Sequence, residues 1–500
     1  WISVTLGVVA WAGMAFFSST KPAINLFTAY WNTYSSLSLA SLPMFIWMGE
    51  ILFRTRLAEQ MFAGLAPWLD RLPGRLLHVN VLGCGLFGAV SGSSAATCAT
   101  IAKISLPELG KRGYDPGMTL GSLCGAGTLG ILIPPSIPMI VYAVASDVSV
   151  IRMFIAGILP GLMLLLMFSG YLVVWALRNP GKVPQPGERI GLAQKLRASR
   201  ELFPVLLLIL FVFFSMATGF ATANEASAVG VLGSLAIAGF GGSLTRTSLY
   251  ASIAGSLRLT CMILFILGAS SFLTVAMGFT GIPKALSEWV VSLQLSRYVL
   301  VLVLTLVYLV MGCLLDGVSM IVLTTAVVLP MIKAAGFDPI WFGIYIVIMI
   351  ELAQITPPVG FNLFVLQGMS GWSIARIAQA SVPFFTLMLV ATVLLVGCDE
   401  SQKLTKGPPS AGNDNAASAP TDYLKSTAQS QKKAVKTIDL AAINKAIEAF
   451  YVQEGRFPKT LEELEGKDFM RVIPLPPAGM KLNYDTNSGM VTLEKDLGKE

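Results

Sequence analysis

Charge is scarce in this 500-residue sequence: Asp, Glu, Lys and Arg together make up 13%, roughly half the ~25% of a soluble protein. A chain so poor in charge cannot clothe an aqueous surface. With 54% hydrophobic residues it holds more apolar surface than one aqueous core needs, so a large soluble protein is excluded. The single histidine, His78, excludes a multi-histidine metal site. The six cysteines, Cys84, Cys98, Cys124, Cys261, Cys313 and Cys398, show no metal-ligand spacing. All but Cys398 sit in apolar segments, where Cys acts as a small hydrophobe. No phosphate-binding Gly-x-x-x-x-Gly-Lys-Ser/Thr run occurs, which excludes ATP hydrolysis by that route. No acid–base pair or nucleophile constellation appears, so an enzyme is not expected.

What the sequence does have is apolar runs of about 20 residues, the length that spans a bilayer. They fall near 1–18, 41–58, 77–106, 117–145, 151–177, 202–220, 226–241, 250–278, 297–333, 340–366 and 374–397. Two are interrupted by polar breaks. The run 77–106 contains Ser91-Gly92-Ser93-Ser94, and the run 297–333 contains Asp316-Gly317. Each is long enough to enter a membrane, turn and leave on the same side, and both are read as re-entrant hairpins. Irregular backbone at membrane depth is tolerated where it is buried in protein or lines a wet cavity. The segments before them, 58–72 and 283–294, read as amphipathic arms along the membrane surface.

The net charge of +7 resides in short loops between apolar runs. That placement follows the positive-inside rule and argues against nucleic acid as a partner. Arg178, Lys182, Arg189, Lys195, Arg197 and Arg200 place the loop 178–200 in the cytoplasm. The opposite loops 19–40, 146–150 and 221–225 are nearly free of Lys and Arg. This arrangement brings the first hairpin in from the cytoplasm, the second from the periplasm, and leaves the C-terminus in the periplasm.

An internal repeat runs through the chain. Pro107, Gly113, Asp115, Pro116, Pro134 and Pro135 recur as Pro330, Gly336, Asp338, Pro339, Pro357 and Pro358, every pair 223 positions apart. Repeats of opposite orientation are the sequence mark of a secondary transporter with its site at the repeat interface. The expected fold is an all-α polytopic membrane protein of two inverted repeats, each with a re-entrant hairpin and a Pro-broken helix. The first repeat covers 1–177, a basic linker 178–200, and the second repeat 201–397.

The Pro-Pro pairs carry the chemistry. Proline removes a backbone donor and clashes with the preceding turn, so two in a row free several carbonyls. Hard cations take oxygen ligands from carbonyls and hydroxyls. The first candidate sodium region therefore comprises Ser91, Gly92, Ser93, Ser94, Gly125, Gly127, Thr128 and Pro134. The second comprises Asp316, Gly317, Ser319, Gln354, Thr356 and Pro357. Ser136, Pro135, Glu351, Pro358 and Asn362 are candidates to line a substrate pathway. Gly83, Gly85 and Gly88 read as packing positions. Glu50, Asp316 and Glu351 lie in apolar segments, where acids are costly. Each either helps bind a cation or is paired with a neighbour, and the sequence leaves both open.

Several long motifs in order resemble the large permease (DctM-like) subunit of tripartite ATP-independent periplasmic (TRAP) transporters over about 1–397. They are LFGAVSGSSAAT (86–97), PELGKRGYD (107–115), LGILIPPSIPMIVYA (129–143), FIAGILPGLML (154–164), NEASAVG (224–230), GFDPIWFGI (336–344) and ITPPVGFNLFVL (355–366). The resemblance implies an elevator-type transporter driven by sodium as coupling ion, with sodium sites at the hairpin tips and helix breaks. It implies a small four-helix membrane partner subunit and a soluble periplasmic substrate-binding protein. The implied substrates are small organic anions, including dicarboxylates, keto acids and sialic acids, chosen largely by the binding protein. The family's first membrane helix is missing or truncated, in keeping with Trp1 in place of Met, and Ala223-Asn224 stands where the family often has Thr-Pro. A stand-alone divalent-anion/sodium symporter of the same plan is the alternative, and a membrane-anchored interaction module is a third reading.

The family pattern ends near 397. Leu395-Val-Gly-Cys398 resembles a lipoprotein box, 398–432 has the composition of a disordered linker, and 433–500 is expected to be a small α+β soluble domain. Its AIEAFYVQEGRFPKTLEEL and YDTNSG stretches resemble a type II secretion pseudopilin. A natural fusion and an artificial gene join are both open, and the non-Met start favours the join.

Overall fold

The computed structural model describes residues 2–405 apart from 18–20, 56, 186–190, 201, most of 281–295 and 359. Beyond 405 it describes 447, 450, 456–458, 460, 461, 463, 464, 480–485 and 490–495. The chain forms two compact units, Trp1–Gly407 and Pro408–Glu500.

The described residues of the first unit form helices joined by turns and short loops. Helices α1 (Ile2–Phe17), α2 (Pro22–Tyr34), α3 (Ser41–Phe53) and α4 (Leu57–Leu69) lead into a helical hairpin, α5 (Leu77–Ser91) and α6 (Ser94–Lys111). A discontinuous helix follows, α7 (Pro116–Thr128) and α8 (Ile137–Ala145), then the long α9 (Val150–Arg178). After α10 (Leu192–Ser199) come α11 (Phe203–Ala217), α12 (Ala223–Phe240) and α13 (Arg246–Thr280). A second hairpin, α14 (Arg297–Gly312) and α15 (Gly317–Ala334), precedes a second discontinuous helix, α16 (Pro339–Gln354) and α17 (Phe361–Ser370). The unit closes with α18 (Ile374–Thr405).

Among the described residues five helices are long and apolar enough to cross a membrane: Val150–Arg178, Ala223–Phe240, Arg246–Phe279, Gly317–Ala334 and Ile374–Leu395. Their outward faces carry large apolar side chains, among them Leu159, Leu166, Leu232 and Val393. In water such faces would be unstable; in lipid they are at home.

The repeated sequence motif becomes a repeated local structure. Gly113 and Gly336 adopt φ of +75° and +80° and end α6 and α15 in the left-handed region that favours glycine. Asp115 then caps α7, its carboxylate accepting from the Met118 amide at 2.9 Å. Asp338 caps α16, accepting from the Ile340 and Trp341 amides. Pro116 and Pro339 occupy the first turn, where a missing N–H costs nothing. The motif is a helix stop and a helix start written in a few residues.

Each hairpin is held by polar contacts across its apolar arms. Asn80 on α5 accepts from Ser105 on α6, and its amide donates to Ser122 on α7 at 2.9 Å. In the second hairpin, Tyr308 on α14 donates to Thr324 on α15 at 2.9 Å. Satisfied in pairs, these buried groups avoid the cost of lone polar atoms in an apolar interior.

Three stretches differ from expectation. The segment 19–40, expected as a loop, holds α2 and a 3-10 turn at Leu37–Ala40. Low hydropathy hid it. Pro22 starts the helix, Thr28 and Thr33 return their hydroxyls to the Ile24 and Ala29 carbonyls, and Ala29 packs against Phe272 of α13. The linker 178–200 contains α10, docked on the arm α4 by a 2.7 Å hydrogen bond from Trp68 to Ser199. Helix α18 continues through Cys398 to Thr405, into the stretch expected as linker. The arm at 58–72 corresponds to α4, whereas 283–294 lies largely outside the described residues.

In the second unit, β1 (Met480–Asp485) pairs antiparallel with β2 (Met490–Lys495), Tyr484 facing Val491. Ile447, Phe450, Leu464 and Val491 form its small core. The turn residues Asn487-Ser488-Gly489 and the stretch 406–446 lie outside the described residues.

Candidate ion and substrate site

At the first hairpin tip, α5 ends at Ser91, Gly92 turns the chain with φ of +58°, and Ser93 caps α6 by accepting from the Ala96 amide. The Ser91 hydroxyl sits 2.6 Å from that of Thr97 and also bonds the Ser93 backbone. The tip lies directly on the first helix break. A Cβ added to Gly88 would stand 2.5 Å from the Gly130 Cα, and one on Gly92 would stand 3.3 Å from the Pro135 carbonyl oxygen.

The break itself begins where α7 ends at Thr128. A 3-10 turn runs to Ile131, the Pro134-Pro135 peptide is cis, and Ser136 caps α8. The Ser136 hydroxyl donates back across the break to the Ile131 carbonyl, and Thr128 donates to the Gly125 carbonyl at 2.8 Å. Pro134, Pro135 and Ser136 are all buried. Two of the freed carbonyls are thus satisfied internally, as burial in an apolar setting demands.

At the second tip, the Asp316 carboxylate accepts from the Val318 and Ser319 amides at 3.1 and 3.2 Å and from the Ser319 hydroxyl. Its role here is to cap α15. A Cβ added to Gly317 would stand 2.5 Å from Ile350 of α16, so this tip is seated on the helix that leads into the second break. That break contains the cis peptide Pro357-Pro358. The Cys313 thiol reaches the Pro357 carbonyl at 3.4 Å, and Thr356 returns its hydroxyl to Leu352. The Gln354 and Thr356 carbonyl oxygens would each lie 3.0 Å from a Cβ on Gly360, so both face that residue. Pro357 and Pro358 are exposed.

Asn362 joins the two halves. Fully buried in the first turn of α17, it accepts from the Ser94 hydroxyl at 3.0 Å and donates to the Cys124 carbonyl at 3.1 Å. A residue following the second break therefore belongs to the first site. The candidate residues fall into two groups. Ser91 to Ser94, Gly125, Gly127, Thr128, Pro134 to Ser136 and Asn362 surround the first tip. Asp316, Gly317, Ser319, Gln354, Thr356, Pro357 and Pro358 surround the second. Glu351 stands apart: it is fully buried in α16, and neither carboxylate oxygen has a hydrogen-bond partner.

Two participants escaped the sequence reading. Thr97 meets Ser91 one turn into α6, and Cys313 faces the second break. For Thr97 the available signal was a hydroxyl one turn beyond a Ser-rich tip; Cys313 carried none. No group of three His, Cys, Asp or Glu side chains stands together among the described residues. The donors gathered here are carbonyl and hydroxyl oxygens, the ligands that hard cations take.

Residues 1–399 match the family described as tripartite ATP-independent periplasmic transporter, DctM component. The chain belongs to this family. This DctM-family permease is 33% identical over 374 residues to the C4-dicarboxylate TRAP transporter large permease protein DctM of Pseudomonas aeruginosa, covering 75% of this chain and 86% of that protein. It is 31% identical over 422 residues to the corresponding DctM of Vibrio cholerae, covering 79% and 91%. The Ectoine/5-hydroxyectoine TRAP transporter large permease protein UehC of Ruegeria pomeroyi is 27% identical over 361 residues, covering 72% and 83%. Among solved structures, the Alcanivorax borkumensis YdaH transporter shares the fold with a TM-score of 0.58 and 12% identity, over 82% of this chain and 98% of that one. The DctM-family chain is thus a TRAP transporter large permease component and a multi-pass membrane protein. Its relatives are permeases rather than enzymes.

Proposed function

We propose that this permease couples the inward movement of sodium to the import of small organic acids such as dicarboxylates and keto acids. In this reading a periplasmic binding protein delivers the solute, and a small four-helix membrane subunit completes the transporter. The sodium sites are Ser91 to Ser94 with Gly125, Gly127, Thr128 and Pro134, and Asp316, Gly317 and Ser319 with Gln354, Thr356 and Pro357; Pro135, Ser136, Glu351, Pro358 and Asn362 border the solute pathway, and the repeats lie inverted in an inner membrane. The loop 178–200 is then cytoplasmic and the C-terminal tail periplasmic. The observation that carries the reading is the pairing of each oxygen-rich tip with a proline-broken helix, linked through Asn362. Half-helices ending at such a break present carbonyl oxygens to cations and amide ends to anionic groups. Relatives are named for C4-dicarboxylates and for ectoine, so the choice of solute is assigned to the binding protein.

The test is uptake into proteoliposomes that contain this chain, the small subunit and the binding protein. Uptake is expected only with all three and with sodium higher outside. Uptake by this chain alone would establish the stand-alone symporter instead. Uptake unaffected by collapsing the sodium gradient would end the coupling assignment.

A further inference from the structure

Glu50 is absent from both groups above, yet it lies beside the first tip. Helix α3 meets the end of α5 with no space between them: a Cβ on Gly49 would stand 2.8 Å from the Val90 carbonyl oxygen. The next residue, Glu50, borders a cavity of about 80 Å3 whose other polar walls are Ser91 and Ser93. Phe53, Ile137 and Leu259 close it with apolar surface. A space of that size holds about three waters, or a cation with part of its hydration shell.

The carboxylate is held in place by a missing side chain. A Cβ at Gly255 of α13 would stand 2.5 Å from Glu50 Oε2, so the glycine lets the carboxylate lie close against that helix. Its partner is Arg54, which caps the C-terminal end of α3, at 3.0 Å, with the two side chains 33% and 19% exposed for Arg54 and Glu50 respectively. A partly exposed pair one helical turn apart is weak. Arg54 is therefore a counter-ion that a competing cation can replace. A carboxylate and two serines line this small space, and carboxylate and hydroxyl oxygens are the donor types that a hard cation takes.

We propose that Glu50 is the carboxylate of a cation-loading site beside the first hairpin tip, where a sodium ion displaces Arg54 and is held by Glu50 with Ser91 and Ser93. The site is distinct from the carbonyl groups of the breaks. It places a full negative charge at the approach to the tip, on a helix outside the hairpin and the broken helices. It rests on the sodium-coupling reading above.

The measurement is equilibrium binding of radiolabelled sodium to the full-length permease in nanodiscs, with choline as the balancing cation. Wild-type protein is expected to bind sodium saturably. Glu50→Gln is expected to weaken one component about tenfold, through loss of a charge at contact distance. Arg54→Gln is expected to tighten the same component about threefold, by removing the competitor. Glu50→Asp, which keeps the charge, should stay within about threefold of wild type and so separates charge loss from misfolding. Superposing isotherms for wild type and Glu50→Gln would overturn the loading site while leaving sodium coupling intact. Equal weakening by Glu50→Gln and Arg54→Gln would make the pair structural and overturn it as well. Absence of saturable sodium binding by the wild-type chain would remove the coupling reading and this site together.

Discussion

The two helix breaks share a Pro-Pro pair, a cis peptide and a hairpin tip beside them, but they differ in burial and in the donors that satisfy their carbonyls. The first is buried, and its own hydroxyls close it: Ser136 spans the gap to Ile131, Thr128 turns back to Gly125, and Asn362 arrives from the other half. The second exposes Pro357 and Pro358 and is closed by other donors: the Gly360 amide donates to the Thr356 carbonyl at 3.0 Å and the Cys313 thiol to the Pro357 carbonyl at 3.4 Å. A buried carbonyl must find an internal donor, whereas an exposed one can be satisfied by water or a cation. Equal motifs therefore do not make equal sites. The first break is buried and braced by side-chain hydroxyls and an amide, whereas the second has exposed prolines and is closed by a backbone amide and a thiol.

The sharpest way to break this comparison is to remove the brace. Asn362→Ala leaves the Ser94 hydroxyl and the Cys124 carbonyl without the partner they share, at a cost of about 3 kcal/mol. Thermal unfolding of the purified permease should show the loss, and solute uptake should fall with it. Full uptake with an unchanged melting temperature would show that the halves do not depend on this contact.

A smaller effect is expected where tip meets break. Gly130→Ala would bring a methyl to 2.6 Å from the Thr97 hydroxyl, an overpacking that costs about 2 kcal/mol. Gly368→Ala, with nothing within 4 Å, should be neutral or slightly stabilising, since alanine is the better helix former. Comparable melting temperatures for the two variants would mean that the tip is not packed as described.

The smallest expected effect tests the asymmetry itself. Ser136→Ala removes a cap and a bond across the buried break and should cost about 1 kcal/mol. Thr356→Ala removes only a hydroxyl returned to the preceding turn, a bond that adds little to a helix, and should cost about 0.5 kcal/mol or less. A reversed order in chemical or thermal unfolding would transfer the brace to the second break.

Much of this architecture was legible because its punctuation is chemical. Gly113 and Gly336 mark helix ends, Asp115 and Asp338 mark helix starts, and the Ser-rich and Asp-Gly tips stand out against apolar arms. Other features were not legible, each for a physical reason. Helix α2 lacks the hydropathy of a span, and its hydroxyls, Asn and aromatics read as loop. The burial of one break and the exposure of the other depend on what packs over them, which local sequence does not record. Asn362 meets Ser94 across 268 positions, and no spacing rule connects two such residues. Asp316 was visible as an acid in an apolar run, but its use as a cap depends on where α15 begins.

The position 223 residues before Asn362 holds Met139, a thioether that cannot bridge a hydroxyl and a carbonyl as an amide does. The exchange is unequal: the first half takes an amide with two partners from the second and returns one hydroxyl, Tyr142, to the Pro339 carbonyl at 2.6 Å. Two units with that relation cannot be exchanged, duplicated or expressed singly with equal success. Whatever ancestry the repeat records, its copies have become specialised parts.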